Sequence, residues 1–594
     1  MKPEMENPYE KFDAHRSEVR VGHGLSWVLT FLFLLFCALP PFWRNVSEFS
    51  KGANGWTPVI EIFRFSPQQG TLGEHLRVAE KGIEDADYTV APRRWMQGVL
   101  TSTLREGNRK AAIGKDGWLY FGPAISALTG YGPLKAEPDT VAKDPNREPW
   151  SGPTDAIVRF NQQLESCGVE LILMPIPVKP MIYPEHLTGK ESAGPIAHRD
   201  AESFYAKLRE AGVEILDVSG DWFAGKKEGT DIFLKQDTHW TPQTMEATAK
   251  RLASYLKERP WFAQVTVDLD RYAPGEPLEI TGQGDLLEKL ELFESNRAFG
   301  KETAKIKPIT DTQNGNSMTI YDEESPIVLL GDSFTNIFHQ KDMHWGVDAG
   351  FAEHLSNELG TSLDTIAQNG QASTGVRRTL AVRADAEKMM REKKKAVIWA
   401  IAARDLFLSE TVARENNVRW DDVEFRTGDP AKDIKWPVEV EATVEAVSSY
   451  LDPKTAPYPA SVYALEYHID KVISGQYLNE KALVYHWAFK DRERSSTAGF
   501  KIGEKHRLTL EAMDAQEELK GINQANDSMT FDLVPAWAEQ VKVLSGARGE
   551  SSDEVSEEKA ARIASIAAAI FCLGFGGVIL MIYRKKRALR ASAS

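Results

Sequence analysis

Two short stretches of the chain carry residue types that together can transfer an acyl group. In residues 233–242 (FLKQDTHWTP), Asp237 and His239 stand two apart, just before a helix expected to be capped by Thr241 and begun by Pro242. Residues two apart in an extended segment project to the same side, so Asp237 can orient and stabilise the imidazole of His239. In residues 327–334 (IVLLGDSF), Ser333 sits on the turn where a buried apolar strand gives way to a helix. Such a turn presents the hydroxyl at the carboxyl end of a sheet. The Ser333 N–H and the helix N-terminus can then face a developing oxyanion. A serine deprotonated by a histidine, itself held by a carboxylate, is a nucleophile for acyl donors. Two rival uses stay open: Asp332 or Ser333 as a simple helix cap, and Asp237 with His239 as metal ligands completed by His339 and His344.

These residues need a scaffold that brings positions 237 and 333 together. From Gly114 to about Thr427, short apolar runs alternate with amphipathic ones, the pattern of an α/β sheet with helices on its faces. The clearest strands are 169–174, 213–218, 327–330 and 396–401, and helices are expected over 155–166, 242–257 and 379–391. Residues 134–153 and 301–325, rich in Pro, Gly and polar side chains, read as long surface loops. Beyond Asp429 the pattern turns to strands (461–468, 482–489, 506–512), giving a small all-β accessory domain over about 430–545. Residues 44–110 form a membrane-proximal segment with a helix around 94–105, and 546–562 an acidic linker.

Two uncharged stretches, 24–43 and 563–583, are each about long enough to span a bilayer, and the second runs into the basic tail 584–594. The expected topology is two transmembrane helices, cytoplasmic ends at 1–23 and 584–594, and the catalytic domain at 111–427 on the periplasmic side of a bacterial inner membrane. A net charge of −15, with no Lys/Arg stripe, argues against nucleic acid. Cys37, Cys167 and Cys572 offer no CxxC spacing and no disulfide framework.

The motifs GKDGWLYF (114–121), Asp237-Thr-His239-Trp240, Gly284-Asp-Leu286 and Gly331-Asp-Ser333, in that order, resemble the alginate O-acetyltransferase group of periplasmic SGNH-hydrolase-like proteins, which esterify exported polysaccharides. An Asp-x-His-Trp that precedes Gly-Asp-Ser is the specific feature; ordinary SGNH hydrolases place their Asp and His after the serine. The resemblance implies a Ser333, His239 and Asp237 triad that moves acetyl groups onto sugar hydroxyls. It also implies oxyanion donors at Asn369 and Gly370, although Asn-Gly is equally a plain turn, and substrate contacts at Arg404 and Trp240. Ala403 stands where members often carry Glu, which removes an ion pair expected for Arg404. No nucleotide or acetyl-CoA loop is visible and no cofactor is expected. The implied donor is a membrane-bound O-acyltransferase within a polysaccharide synthesis or export complex. Two other functions use the same sequence: an acetyl-esterase or deacetylase with this triad, and a non-catalytic polysaccharide-binding assembly subunit.

Overall fold

The computed structural model describes residues 87–545 except 136–149, 293–297, 314–317, 319, 451–452, 454–455, 457, 520 and 527–532, together with Thr30, Phe31, Leu76 and Glu80. Residues 1–23 and 584–594, expected as cytoplasmic ends, the 546–562 linker, most of the 134–153 loop and the two apolar stretches (apart from Thr30 and Phe31) lie outside the described residues. Among the described residues no helix is long and apolar enough to cross a membrane, which corrects the two-span architecture and the inner-membrane placement built on it. The long helices that are described have the wrong composition for a bilayer. Asp87–Leu104 carries Asp87, Arg93, Arg94 and Pro92, and Pro242–Lys257 has a charged outer face.

Five parallel strands form the sheet that carries the site: β1 (Glu170–Ile176), β2 (Glu214–Ile215), β3 (Ile327–Gly331), β4 (Asp364–Ala367) and β5 (Ala396–Ala402), in the order β4-β3-β5-β1-β2. Parallel strands are covered on both faces, so they read as continuous apolar runs, and β3 and β5 are buried at every residue. Their side chains alternate between two cores. Ile172, Leu329 and Ile398 face the helix Pro242–Lys257 and its neighbour Phe351–Leu359; Leu173, Leu330 and Trp399 face Phe160, Leu164 and Leu380 on the other side. Thr241 caps Pro242–Lys257 by accepting the Thr244 N–H, and Met245, Ala249, Leu252 and Leu256 form its buried stripe.

Three local expectations change. The helix expected over 379–391 is two helices, Gly375–Ala381 and Ala386–Lys393, broken at Asp385 (φ 47°). In the break, Arg383 reaches back to grip Asp364 with two bonds of 2.7 and 2.9 Å. The loop expected over 301–325 contains strands Glu302–Ile306 and Ile309–Asp311, paired with Leu278–Gly282 and Tyr272–Pro274. Strand β4 was not anticipated, because four residues are too few to show a period.

Beyond Asp429 the strands are longer than expected and close on themselves. Lys435–Val447 pairs with Ser461–Gln476, which pairs with Lys481–Lys490; that strand pairs with Pro535–Trp537, and Lys505–Ala512 completes the ring back to Lys435–Val447. The result is a β-barrel. Its interior holds a polar chain: His486 Nδ1–H donates to Ala538 O (2.9 Å), His486 Nε2 meets the Tyr467 hydroxyl (3.1 Å), and that hydroxyl meets His506 Nδ1 (3.0 Å). Burial pushes the His486 pKa down from 6.5 to about 3, with the Ala538 bond opposing. Between those values the unfolded chain binds a proton that the folded barrel refuses, so stability falls as pH drops from about 6.5 toward 3. Thermal unfolding should therefore show a lower melting temperature near pH 4.5 than near pH 7, with a flatter dependence in His486→Gln. Parallel pH profiles for the two proteins would contradict this.

Candidate active site

Ser333, His239 and Asp237 meet at the carboxyl end of the parallel sheet. Ser333 opens the helical turn Ser333–Asn336 directly after β3, and Asp332 caps that turn by accepting the Phe334 N–H at 2.8 Å. The cap is thus Asp332, leaving the Ser333 hydroxyl uncommitted to the backbone. A Cβ on Gly331 would stand 2.2 Å from Thr335 Oγ1, so the turn is too tight for any other residue there. His239 Nε2 lies 2.8 Å from Ser333 Oγ, and His239 Nδ1 lies 2.6 Å from Asp237 Oδ1. With Nδ1–H donating to the carboxylate, the neutral ring offers Nε2 as acceptor for the Ser333 proton. His239 and Asp237 are buried, while Ser333 is half-buried. Among the described residues, no backbone acceptor takes the Ser333 N–H.

The Asp237 carboxylate has a donor for each of its four acceptor positions: His239 N–H (3.1 Å), His239 Nδ1–H (2.6 Å), Asp285 N–H (3.0 Å) and Trp345 Nε1–H (3.0 Å). Burial on its own would raise the Asp237 pKa. The bond and charge of His239, then the Asp285 N–H and the Trp345 indole, outweigh it and hold the carboxyl well below the usual range.

The Gly-Asp-Leu motif acts on this loop from outside. Asp285 accepts the Thr238 N–H (2.7 Å), the Thr238 hydroxyl (2.9 Å) and Lys289 Nζ–H (2.6 Å). Gly284 permits the approach, since a Cβ there would fall 2.1 Å from the Gln236 carbonyl oxygen.

Lys179 holds the same loop from below. It is buried, and its ammonium donates to the carbonyls of Leu119 (2.9 Å), Lys235 (3.0 Å) and Asp237 (2.5 Å). Burial lowers its pKa to about 8 against the opposing pull of Asp237, Glu302 and Asp285. The GKDGWLYF motif wraps this lysine: Leu119 supplies a carbonyl, and the rings of Trp118 and Tyr120 lie 5.6 and 6.0 Å from Nζ.

Sequence reasoning missed the parts played by Lys179, Asp285 and Trp345. One signal was present for the first: Lys179 is the sole charge in the otherwise apolar run 171–182 (LILMPIPVKPMI), and a cation inside such a run needs buried partners. Trp345 carried no such mark.

The remaining candidates are placed differently. Trp240 is fully buried, packed against Trp222, Phe334 and Phe351 at 5.7, 5.5 and 5.3 Å. This corrects its expected contact with substrate: the ring is core, and it supports Phe334, whose own ring lies against His239 at 4.7 Å. Arg404 pairs with its neighbour Asp405 at 3.3 Å and lies 5.4 Å over the Phe121 ring, so it has an acidic partner although position 403 is Ala. Burial, with Asp332 adding and Arg404 opposing, lifts Asp405 to about 6. Among the described residues no hydrogen bond joins Arg404 to the Ser333–His239–Asp237 chain, and it lines a cavity of about 40 Å³ with His198 and Asp217.

Asn369 follows β4, beside β3, with Ala367 in register with Gly331. Its side chain accepts from Asn336 Nδ2–H (2.9 Å) and donates to Gln340 Oε1 (2.9 Å), while Gly370 is left-handed (φ 72°). His339 is engaged by Glu353 (2.5 Å) and the Tyr321 hydroxyl (3.2 Å), and His344 is exposed, so neither completes a ligand set with His239. Asp237, His239 and Asp285 do cluster closely enough to hold an ion, yet the oxygens and nitrogens concerned are already taken by the bonds above.

Residues 111–403 match a family described as an SGNH hydrolase-like domain, acetyltransferase AlgX. The chain is 28% identical over 268 residues to the probable alginate O-acetylase AlgJ of Pseudomonas aeruginosa, spanning 43% of this chain and 62% of that protein. It is 29% identical over 109 residues to the alginate biosynthesis protein AlgX of the same organism, spanning 18% and 23%. Among solved structures, the O-acetyltransferase domain of Pseudomonas putida AlgJ is similar at a TM-score of 0.35 with 20% identity, covering 52% of this chain and 99% of that one. Pseudomonas aeruginosa AlgX is similar at 0.37 with 17% identity, covering 60% and 71%. The family match and the curated relatives bear out the resemblance that the four motifs carry.

Proposed function

We propose, from the premise that residues 111–403 match an SGNH hydrolase-like acetyltransferase domain, that this chain moves acetyl groups through an acetyl-Ser333 intermediate onto hydroxyls of an exported polysaccharide. The observation that carries the reading is the unbroken chain Asp237–His239–Ser333, with bonds of 2.6 and 2.8 Å ending on a half-buried hydroxyl. His239 Nε2 takes the proton of Ser333 as Oγ bonds the acetyl carbonyl carbon, and the carbonyl electron pair moves to oxygen. The Ser333 N–H faces that oxyanion. Collapse re-forms the carbonyl and breaks the bond to the donor's leaving group, which receives the proton from His239. A sugar hydroxyl then gives its proton to His239 and attacks the acetyl-serine; Oγ leaves and recovers the proton. Throughout, Asp237 stays ionised and stabilises the imidazolium.

A sugar acceptor also suits the cavity of about 550 Å³ between the edge of the α/β sheet and the barrel. Its lining mixes amides (Gln368, Gln524), the Arg383 guanidinium and aromatic rings (Trp436, Tyr485); Ser333, His239 and Asp237 do not line it, and it comes nearest to them along the chain at Gln368, next to the Asn369 turn. Amides and guanidinium groups bond hydroxyls, and aromatic faces stack on sugar rings. The acetyl donor in this reading is presented by a partner acyltransferase. The test is to incubate the protein with an activated acetyl ester, with and without neutral and uronic oligosaccharides, and weigh the products. Acetylated sugar is expected. Free acetate alone, unaffected by any oligosaccharide, would replace the transferase by an esterase.

A further inference from the structure

The turn beside the nucleophile is held from the other domain. Asn523, on the barrel strand Asn523–Ala525 and 1% exposed, donates its Nδ2–H to the Asn369 carbonyl at 2.7 Å. Its own Oδ1 accepts the Ser461 hydroxyl at 2.8 Å, which fixes the amide in that orientation. Tyr458, also from the barrel, closes over the next residue: a Cβ on Gly370 would meet its ring at 3.5 Å. A third barrel residue, Gly521, abuts Gln340, the group that accepts from the Asn369 side chain; a Cβ there would stand 2.0 Å from Gln340 Nε2.

This grip has a consequence for the peptide between Asn369 and Gly370. In a trans peptide the carbonyl and the following N–H point in opposite directions. Holding the Asn369 carbonyl toward Asn523 therefore aims the Gly370 N–H away from the barrel. Among the described residues no acceptor takes that N–H. On the other side, Asn336 of the Ser333–Asn336 turn donates to both Ala367 O (3.2 Å) and Asn369 Oδ1 (2.9 Å), so the turn and the nucleophile's helix are tied together. We propose that Asn523 is a positioning residue for acyl transfer, through which the barrel sets the Gly370 N–H as a second oxyanion donor beside the Ser333 N–H. The proposal rests on the acetyl-Ser333 reading. It makes the barrel a working part of the active site rather than an appendage.

The test uses the full chain and an activated acetyl ester, with turnover, KM and melting temperature measured for Asn523→Ala, Asn523→Ser, Ser461→Ala and Ser333→Ala. A displaced oxyanion donor costs about 100- to 1,000-fold in kcat, and a loosened one costs part of that. Asn523→Ala should lower kcat by roughly 10- to 100-fold at unchanged KM, and Asn523→Ser, which keeps a donor, should recover part of the loss. Ser461→Ala, which only frees the Asn523 amide to turn, should show a smaller loss of kcat in the same direction. A folded Asn523→Ala protein with wild-type kcat would overturn the proposal. If Asn523→Ala does not fold, wild-type kcat in Ser461→Ala would do so instead. An active Ser333→Ala would strike the underlying reading, whereas an inactive Ser333→Ala beside a fully active Asn523→Ala would strike the positioning role alone.

Discussion

Replacing Ser333 with Ala should lower acetyl turnover by roughly 10,000-fold or more while leaving the melting temperature close to that of the wild type. The loss is large because Oγ is the one atom placed to bond the acetyl group, 2.8 Å from the imidazole that takes its proton. Stability is spared because the helical turn is capped by Asp332 and not by Ser333, so the cost of about 0.5–2 kcal/mol for a lost cap does not arise. His239→Ala should match Ser333→Ala, and the double variant should be little worse than either, since groups that act as a unit fail together. Turnover and thermal unfolding of the three variants check this. A marked drop in stability with turnover retained would make Ser333 a structural residue.

Lys179→Met should be the most damaging change outside the proposed triad. Methionine fills a similar volume but strips the carbonyls of Leu119, Lys235 and Asp237 of their shared donor. A buried acceptor left unpaired costs about 1–3 kcal/mol; the Leu119 and Asp237 carbonyls are exposed to that loss, while the Lys235 carbonyl keeps the Leu119 N–H at 2.9 Å, so destabilisation of roughly 2–5 kcal/mol is expected. The folded fraction should also turn over at least about tenfold more slowly, because the lysine fixes the backbone of Asp237 itself. Lys179→Arg should not rescue either property: a planar guanidinium cannot converge on three carbonyls as an ammonium does. Denaturant unfolding and turnover per folded molecule are the measurements. A Lys179→Met protein as stable and as active as wild type would show that the three carbonyls find other partners.

How far the sequence discloses this arrangement depends on the range over which each signal acts. The runs 327–330 and 396–401 announced their strands because burial on both faces leaves no polar positions, and Thr241-Pro242 announced a helix start because capping is local chemistry. Asp237 and His239 were legible as a pair from their two-residue spacing, but what joins them is a bend over 235–239, not an extended segment: the Asp237 carboxylate accepts both the His239 N–H at 3.1 Å and its ring N–H at 2.6 Å. Strand β4 was hidden by its brevity, and the break at Asp385 by the grip of Arg383 on Asp364, a partner 19 residues away. Trp240 misled for the opposite reason. Its place in a catalytic motif suggested substrate, whereas its surroundings, Trp222, Phe334 and Phe351, come from three distant segments that only the fold assembles. The same holds for Trp345, which reaches Asp237 across 108 residues, and for Asn523, which reaches Asn369 across 154.

The Gly-rich motifs show what a family pattern records without stating. GKDGWLYF and Gly-Asp-Leu contain none of the three residues joined in the Asp237–His239–Ser333 chain, yet both converge on the 235–239 backbone. One does so through the Leu119 carbonyl and Lys179, the other through Asp285 and the contact that Gly284 permits. Their role is to hold a carboxylate and an imidazole still, as the proposed use of the Ser333 hydroxyl as a nucleophile requires.

The most direct measurement is the mass of the protein itself, acid-quenched during turnover of an activated acetyl ester and then digested into peptides. One added acetyl group is expected, carried on the peptide that contains Ser333, absent from Ser333→Ala and discharged when an oligosaccharide acceptor is added before the quench. An acetyl group that accumulates on another residue, or steady turnover with the Ser333 peptide never modified, would contradict it.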